Sequence, residues 1–136
     1  TYDAASQSTE IQDARSNRIT FTYTNRGEVA TEKNQIGQVT SYTYDALGRR
    51  ATRQFATDDV TSYTYDAVGR QVSIVYADAT RVTFAYDAVG NQTTLIDATG
   101  TTTYAYDAIN RLTGKTDPGS LVQTYTYDAA DQRTRL

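Results

Sequence analysis

The sequence contains no histidine, cysteine, methionine or tryptophan and only one proline. Without cysteine, the chain can form neither a disulfide framework nor a thiolate nucleophile. The usual ligand sets for zinc and other transition metals need histidine or cysteine, so they are absent too. General acid–base chemistry would fall to carboxylates, tyrosine or lysine. The composition therefore argues against an enzyme, and we expect no metal and no cofactor.

Charge and hydropathy exclude two further classes. The formal net charge of -3 over 136 residues shows no basic footprint of the kind that nucleic-acid binding requires. No apolar run approaches the roughly 20 residues that a membrane helix needs. We therefore expect neither a nucleic-acid partner nor a membrane span. The sequence opens on polar residues and has no initiator methionine, so we expect it to be a segment of a longer chain.

What the sequence does contain is an internal repeat marked by tyrosine. The steps between these marker tyrosines are 21 residues, except for one step of 20. Six of the seven are followed by aspartate, and the exception is Thr24. About six and a half repeats thus fill residues 1–136, which we interpret as a single array. The marker tyrosines are Tyr2, Tyr23, Tyr44, Tyr65, Tyr86, Tyr106 and Tyr127.

A second aromatic residue precedes six of the markers by two positions, with a small residue between the two. Strict alternation of large and small side chains is typical of a β-strand. We expect the aromatic residues to face a packed side of the sheet and the small residues to face outward, although the reverse arrangement stays open. The preceding aromatics are Phe21, Tyr42, Tyr63, Phe84, Tyr104 and Tyr125.

A turn follows each marker, as in the run Asp-Ala-Leu-Gly-Arg at residues 45–49. The leading Asp can accept a hydrogen bond from the backbone amide two residues on. The fourth place holds Gly, Asn or Asp in most copies, which predicts a left-handed backbone there. Ser6 is the exception and suggests a frayed end. The residues in this fourth place are Ser6, Gly27, Gly48, Gly69, Gly90, Asn110 and Asp131.

A second turn signal lies half a period later in each repeat, near residues 13–17, 35–37, 57–59, 77–80, 97–100 and 117–120. Each repeat then provides two strands of about seven residues. The predicted fold is all-β: tandem 21-residue repeats form a continuous antiparallel meander of about 13 strands, which curls into a spiralling strip or shell segment.

The repeat motif supplies the candidate functional residues, all with a structural role. The Asp column resembles a calcium ladder, but one Asp per 21 residues is sparse for that ion, so we favour turn capping. The arginines after the turn are interpreted as partners of the Asp of their own motif or of a neighbouring one, serving register and solubility. The motif residues are Tyr42, Tyr44, Asp45, Gly48, Arg49, Tyr63, Tyr65, Asp66, Gly69, Arg70, Phe84, Tyr86, Asp87, Gly90, Tyr104, Tyr106, Asp107, Asn110, Arg111, Tyr125, Tyr127 and Asp128.

The run Tyr-x-Tyr-Asp-x-x-Gly-Arg, complete at residues 42–49 and 63–70, resembles the Rhs/YD-repeat family. The resemblance implies a β-strip that spirals into a hollow shell. Such shells enclose a toxin in polymorphic toxins and toxin complexes, and they serve adhesion in teneurins. It also implies a secreted or cell-surface location. Thr24 in place of Asp, and Glu28 or Asn91 in place of Arg, depart from the pattern.

Two functions follow from this reading. The first is structural: part of a shell around cargo, or of an extended fibre, whose partners are further YD repeats of the same or neighbouring chains and an encapsulated toxin. The second is an adhesion module in which an exposed tyrosine column recognises a surface glycan or a cell-surface partner. Alanine substitution of Tyr42, Tyr63 or Tyr104 distinguishes the two, because only a binding role predicts lost binding with the fold kept.

Overall fold

The computed structural model describes residues 1–135, with the backbone alone of Arg135. The described residues contain strands and turns and no helix, which confirms the predicted all-β class. The strands are β1 (Glu10–Gln12), β2 (Arg18–Tyr23), β3 (Val29–Lys33), β4 (Val39–Tyr44), β5 (Arg50–Gln54), β6 (Val60–Tyr65), β7 (Gln71–Val75), β8 (Arg81–Tyr86), β9 (Gln92–Asp97), β10 (Gly100–Tyr106), β11 (Leu112–Asp117), β12 (Leu121–Thr124), β13 (Thr126–Tyr127) and β14 (Arg133–Arg135).

The strands β1 to β12 follow one another in chain order as an antiparallel meander, and β13 pairs with β14 separately. The predicted meander is therefore confirmed, and the expected number of about 13 strands is close to the 14 that are observed. By contact density the chain forms two compact units, Thr1–Tyr63 and Thr64–Leu136. The interpretation as one single array stays a prediction.

The 21-residue period is the sum of two strands and two turns. Strand β4 has 6 residues and β5 has 5, shorter than the expected seven. The reason is that each turn takes five residues, from Asp45 to Arg49 and from Phe55 to Asp59, each closed by a hydrogen bond between its first amide and last carbonyl. The single 20-residue step has its cause in a two-residue loop, since Asp97 pairs directly with Gly100.

The fourth place of each turn after a marker, which is the third residue of the three-residue loop, has a positive φ. This confirms the left-handed place at Gly27, Gly48, Gly69, Gly90, Asn110 and Asp131. The expectation for Ser6 is wrong: its φ is 62°, and its amide donates to the Asp3 carbonyl at 3.1 Å like its counterparts. A hairpin loop of this type is a type I turn followed by a left-handed residue, and its closing hydrogen bonds hold serine in that conformation.

A β-bulge recurs beside the marker tyrosines and was not expected from the sequence. In the hairpin of β4 and β5, Thr43 lies opposite Thr52 but Tyr44 lies opposite Arg50, so Ala51 is the extra residue. The same shift occurs next to Tyr23, Tyr86, Tyr106 and Tyr127. Bulges increase the local right-handed twist of a strand and re-aim its side chains.

The two faces of the sheet differ in exposure as the alternation predicts. The small residues of the alternating column, such as Thr22, Thr43 and Ala85, are exposed, whereas their aromatic neighbours are half-buried. Tyr125 is the most buried aromatic, at 9% exposure. Among the described residues no side chain falls below 2% exposure. Stability must therefore come from the hydrogen-bond ladder, the turns and the half-buried aromatic column rather than from a closed core.

Replacing Gly90 by alanine should lower the free energy of unfolding by about 1 kcal/mol, because an L-residue is strained at positive φ. The φ of Gly90 is 103°, and no atom lies within 4 Å of the position that a Cβ would take, so the cost is one of backbone conformation. The reverse change at Ala79, whose φ is 64°, should leave stability unchanged or raise it. Urea denaturation of both variants checks this, and equal losses would contradict it.

Candidate functional site

The Asp after each marker caps its own turn. Its Oδ1 accepts hydrogen bonds from the backbone amides two and four residues on, at 2.8–3.1 Å in all six Asp-containing copies. The predicted bond to the second residue is confirmed, and the bond to the fourth is an addition. Asp13 and Asn34 begin two of the turns that lie half a period later, and their side-chain oxygens accept the same two amide hydrogen bonds.

These hydrogen bonds favour the ionised carboxylate. The two turn amides and the Arg111 guanidinium hold the pKa of Asp107 below its ordinary value of 3.8. For Asp45 the backbone bond from Arg49 likewise lowers the pKa. Burial opposes the shift in both cases. Because Oδ1 is already used by two amides, the turn-capping interpretation accounts for this column without an ion, and residues 1–135 contain no cluster of acidic side chains placed to hold a metal.

The marker tyrosine ties each repeat to the previous one. The hydroxyl of Tyr44 donates to the carbonyl of Val29 at 2.8 Å, and that of Tyr86 donates to the carbonyl of Gln71 at 2.9 Å. Each acceptor is the first residue after the preceding turn, 14 or 15 residues back in the sequence. Tyr23, Tyr106 and Tyr127 make the same bond. The sequence gives no local signal for this contact.

The arginine at the end of the turn contacts its own motif and the next one. The Nε of Arg70 donates to Asp66 Oδ2 at 2.7 Å, and its guanidinium lies 4.7 Å above the ring of Tyr86. A terminal nitrogen also donates to the carbonyl of Asp87 at 2.9 Å. We call this three-part contact the arginine bridge. Arg111 likewise contacts Asp107, the carboxylate of Asp131 and the ring of Tyr127 at 4.5 Å.

The arginine side chains in these bridges are about two-thirds buried, since Arg70 is 33% and Arg111 is 29% exposed. Arg49 also binds its own Asp45, at 2.7 Å. The predicted pairing of Arg with the Asp of its own motif is thus found. The contact across to the next tyrosine was not foreseen, and it couples successive repeats.

Where the motif departs from Arg, other polar side chains contact the next turn. Asn91 donates to Asp87 Oδ2 at 2.9 Å and to Asn110 Oδ1 at 2.8 Å, and Gln7 donates to the carbonyl of Gly27 at 3.1 Å. In the copy with Thr24 and Glu28, the two side chains hydrogen-bond each other instead. Here Arg26 reaches the carbonyl of Ala46 at 3.0 Å.

Charged side chains also lie beside the aromatic column. The guanidinium of Arg50 is 4.4 Å from the ring centre of Tyr42, and the Tyr42 hydroxyl donates to Glu32 at 3.3 Å. Burial, followed by the nearby Glu32 charge, raises the pKa of Tyr42. Arg53 stacks over Phe55 at 4.1 Å. The aromatic face is therefore amphipathic, with rings covered in part by cations.

Threonine pairs line the opposite face. Thr22 and Thr31 lie 2.6 Å apart through their hydroxyls, and Thr43 and Thr52 lie 2.7 Å apart. Both pairs stand directly opposite in the register. Cross-strand hydroxyl pairs of this kind contribute modestly to sheet stability. The nine-residue spacing of Thr was the available sequence signal for them.

The teneurin YD-shell family profile matches residues 1–102, and the RHS repeat profile matches residues 86–122 and 106–136. The chain belongs to the teneurin YD-shell family, and the resemblance to Rhs/YD repeats is confirmed. No curated protein sequence matches the chain significantly. Within the described part of the chain, no helix is long and apolar enough to span a membrane.

Solved structures share this fold. A mutant Tc holotoxin pore from Photorhabdus luminescens superimposes with a TM-score of 0.83 at 20% identity, covering 98% of this chain and 8% of that one. A crystal structure of TcdB2-TccC3-TEV gives 0.83 at 20% identity, with 98% and 9% covered. One of TcdB2-TccC3-Cdc42 gives 0.55 at 18% identity, with 82% and 9% covered. The chain spans less than a tenth of the length of these proteins.

The marker-tyrosine contact predicts a cost for losing one hydroxyl. Tyr86→Phe should lower the free energy of unfolding by about 1 kcal/mol, because the Gln71 carbonyl loses its donor. Tyr76→Phe is the matched control, since Tyr76 is 42% exposed and lies outside the marker column, and it should change stability little. Urea denaturation measures both. Equal effects would contradict the assigned role of the marker hydroxyl.

The capped carboxylates predict a loss of stability in acid. Because the pKa of Asp107 is lower in the folded chain than its ordinary value of 3.8, its contribution is fully present above about pH 4 and is lost as pH falls through the folded pKa. Asp107→Asn removes this titration. The drop in urea midpoint between neutral pH and about pH 3 should therefore be smaller for this variant than for the wild type. An unchanged drop would count against the assignment.

Proposed function

We propose that this chain is a wall segment of a YD shell that encloses another polypeptide. The carrying observation is that the contacts between successive repeats recur along the array. The marker hydroxyl joins the previous turn in five copies, and a side chain after the turn reaches forward to the next one. Contacts that repeat with the sequence period build an extended wall rather than a single reactive centre.

The solved structures with this fold support the proposal. They are a Tc holotoxin pore and complexes of TcdB2 with TccC3. By analogy, the partners of this chain are further YD repeats and an enclosed toxin, and its location is secreted or extracellular. A self-assembled surface fibre is the other structural arrangement that this wall permits. We also propose that the segment itself is not catalytic, because its polar side chains are used in repeated structural contacts.

Electron microscopy of the native protein, purified from its source, tests the structural proposal. Closed hollow particles are the expected result, with cargo that resists added protease until the particles are opened by denaturant. Long regular filaments would contradict the shell and support the fibre arrangement. Dispersed chains with protease-sensitive neighbouring domains would overturn both arrangements.

A glycan-binding role is the second candidate, and the incomplete burial of the aromatic column favours it. Tyr42, Tyr63 and Tyr104 are half-buried members of that column. Aromatic faces that reach solvent can stack on sugars. Tyr104→Ala should then abolish binding in a glycan array while the circular dichroism spectrum stays that of the wild type. Unfolding of this variant, or unchanged binding, would contradict glycan binding by this column and leave only the structural role.

A further inference from the structure

The second repeat lacks the arginine bridge that the regular repeats form. The guanidinium of Arg70 lies 4.7 Å from the ring centre of Tyr86. It also donates to the Asp66 carboxylate at 2.7 Å and to the Asp87 carbonyl at 2.9 Å. In the second repeat, Thr24 replaces the Asp and Glu28 replaces the Arg. Two coupled changes thus exchange the cation at this place for an anion.

A cleft of about 390 Å³ opens at this position in the unit Thr1–Tyr63. Its lining comprises the two tyrosines of strand β4 and residues of two successive turns. The lining residues include Thr24, Arg26, Glu28, Tyr42, Tyr44 and Asp45.

The three groups that an arginine bridge uses are all present in this cleft. The ring is that of Tyr44, the next marker, and no guanidinium among the described residues stacks on it. The carbonyl of Asp45 accepts the Gly48 amide of its own turn at 3.0 Å, as the Asp87 carbonyl accepts that of Gly90, and its side-chain contact is the long one of 3.5 Å from Arg26. The carboxylate is Glu28, which is 19% exposed, and its Oε1 lies 3.6 Å from Arg26 Nε.

The flanking groups leave this cleft open to a cation. Arg26 is 56% exposed, and one terminal nitrogen donates to the Ala46 carbonyl at 3.0 Å, whereas its contacts with the Asp45 carbonyl and with Glu28 are long, at 3.5 and 3.6 Å. The Thr24 hydroxyl binds the other oxygen of Glu28 and is the main cause that lowers the Glu28 pKa. The Glu28 carboxylate therefore stays ionised at neutral pH.

We propose that this cleft binds an arginine side chain of another polypeptide, which takes the place that the motif arginine occupies in the regular repeats. The incoming guanidinium stacks on Tyr44 and donates to Glu28 and to the Asp45 carbonyl. A planar guanidinium fits better than a lysine ammonium, because it stacks and donates in two directions at once. This inference goes beyond the structural role and does not depend on the shell being formed.

The double variant Thr24→Asp with Glu28→Arg tests the proposal, because it restores the regular motif and should fill the cleft. The probe is the blocked tripeptide Gly-Arg-Gly, titrated into the 15N-labelled chain and followed by NMR. The wild type should show saturable shifts at residues 24–28 and 42–45. The analogue with neutral citrulline in place of arginine should bind at least about tenfold more weakly.

The restored double variant should fold and show no saturable shift with the arginine peptide. Glu10→Gln, which removes a carboxylate outside the cleft, should bind as the wild type does. Absence of saturable shifts in the wild type, equal binding of the citrulline peptide, or binding retained in the double variant would each overturn the proposal. The lysine peptide should bind more weakly than the arginine peptide, and equal binding would contradict the guanidinium geometry.

Discussion

The hydrogen bond from the marker tyrosine to the first residue after the previous turn, made in five copies, is the contact on which the regular structure depends. The described residues include no side chain below 2% exposure, so no closed core holds successive hairpins together. Backbone pairing fixes neighbouring strands, but it does not fix the position of one turn against the next. The tyrosine hydroxyl fixes that position by donating to a backbone carbonyl, because a half-buried phenol without a hydrogen-bond partner is costly.

The turn provides the second constraint, and it explains which substitutions the repeat tolerates. Asp45 Oδ1 closes the loop by accepting two amides, and the fourth place must then take a positive φ. Glycine meets this at least cost, yet Ser6, Asn110 and Asp131 adopt it as well. The backbone hydrogen bonds of the loop therefore determine the conformation, and the residue in that place only sets its cost.

The irregular copies show how side-chain identity varies while the contact between successive turns is kept. Asn91 replaces the arginine bridge with amide hydrogen bonds to the Asp87 carboxylate and to Asn110, whereas Thr24 and Glu28 hydrogen-bond each other and leave Arg26 to reach the next turn. The position after the turn is thus a connection between repeats whose chemistry is free to change. Where no cation covers the next ring, as at Tyr44, the wall offers a surface to a partner.

The sequence by itself determined the class, the period and the turns. Its alternation and its Tyr-Asp spacing predicted the antiparallel meander, and its Gly, Asn and Asp predicted the left-handed places, because these properties depend on neighbours within one hairpin. Only the tertiary structure decided the tyrosine bond to Val29 or Gln71, the bulge at Ala51 and the stacking of Arg70 on Tyr86. The tyrosine bond and the arginine stacking join side chains to distant parts of the chain, and the bulge changes the pairing inside a hairpin. In all three, the strand register and twist, rather than the local sequence, place one group beside another.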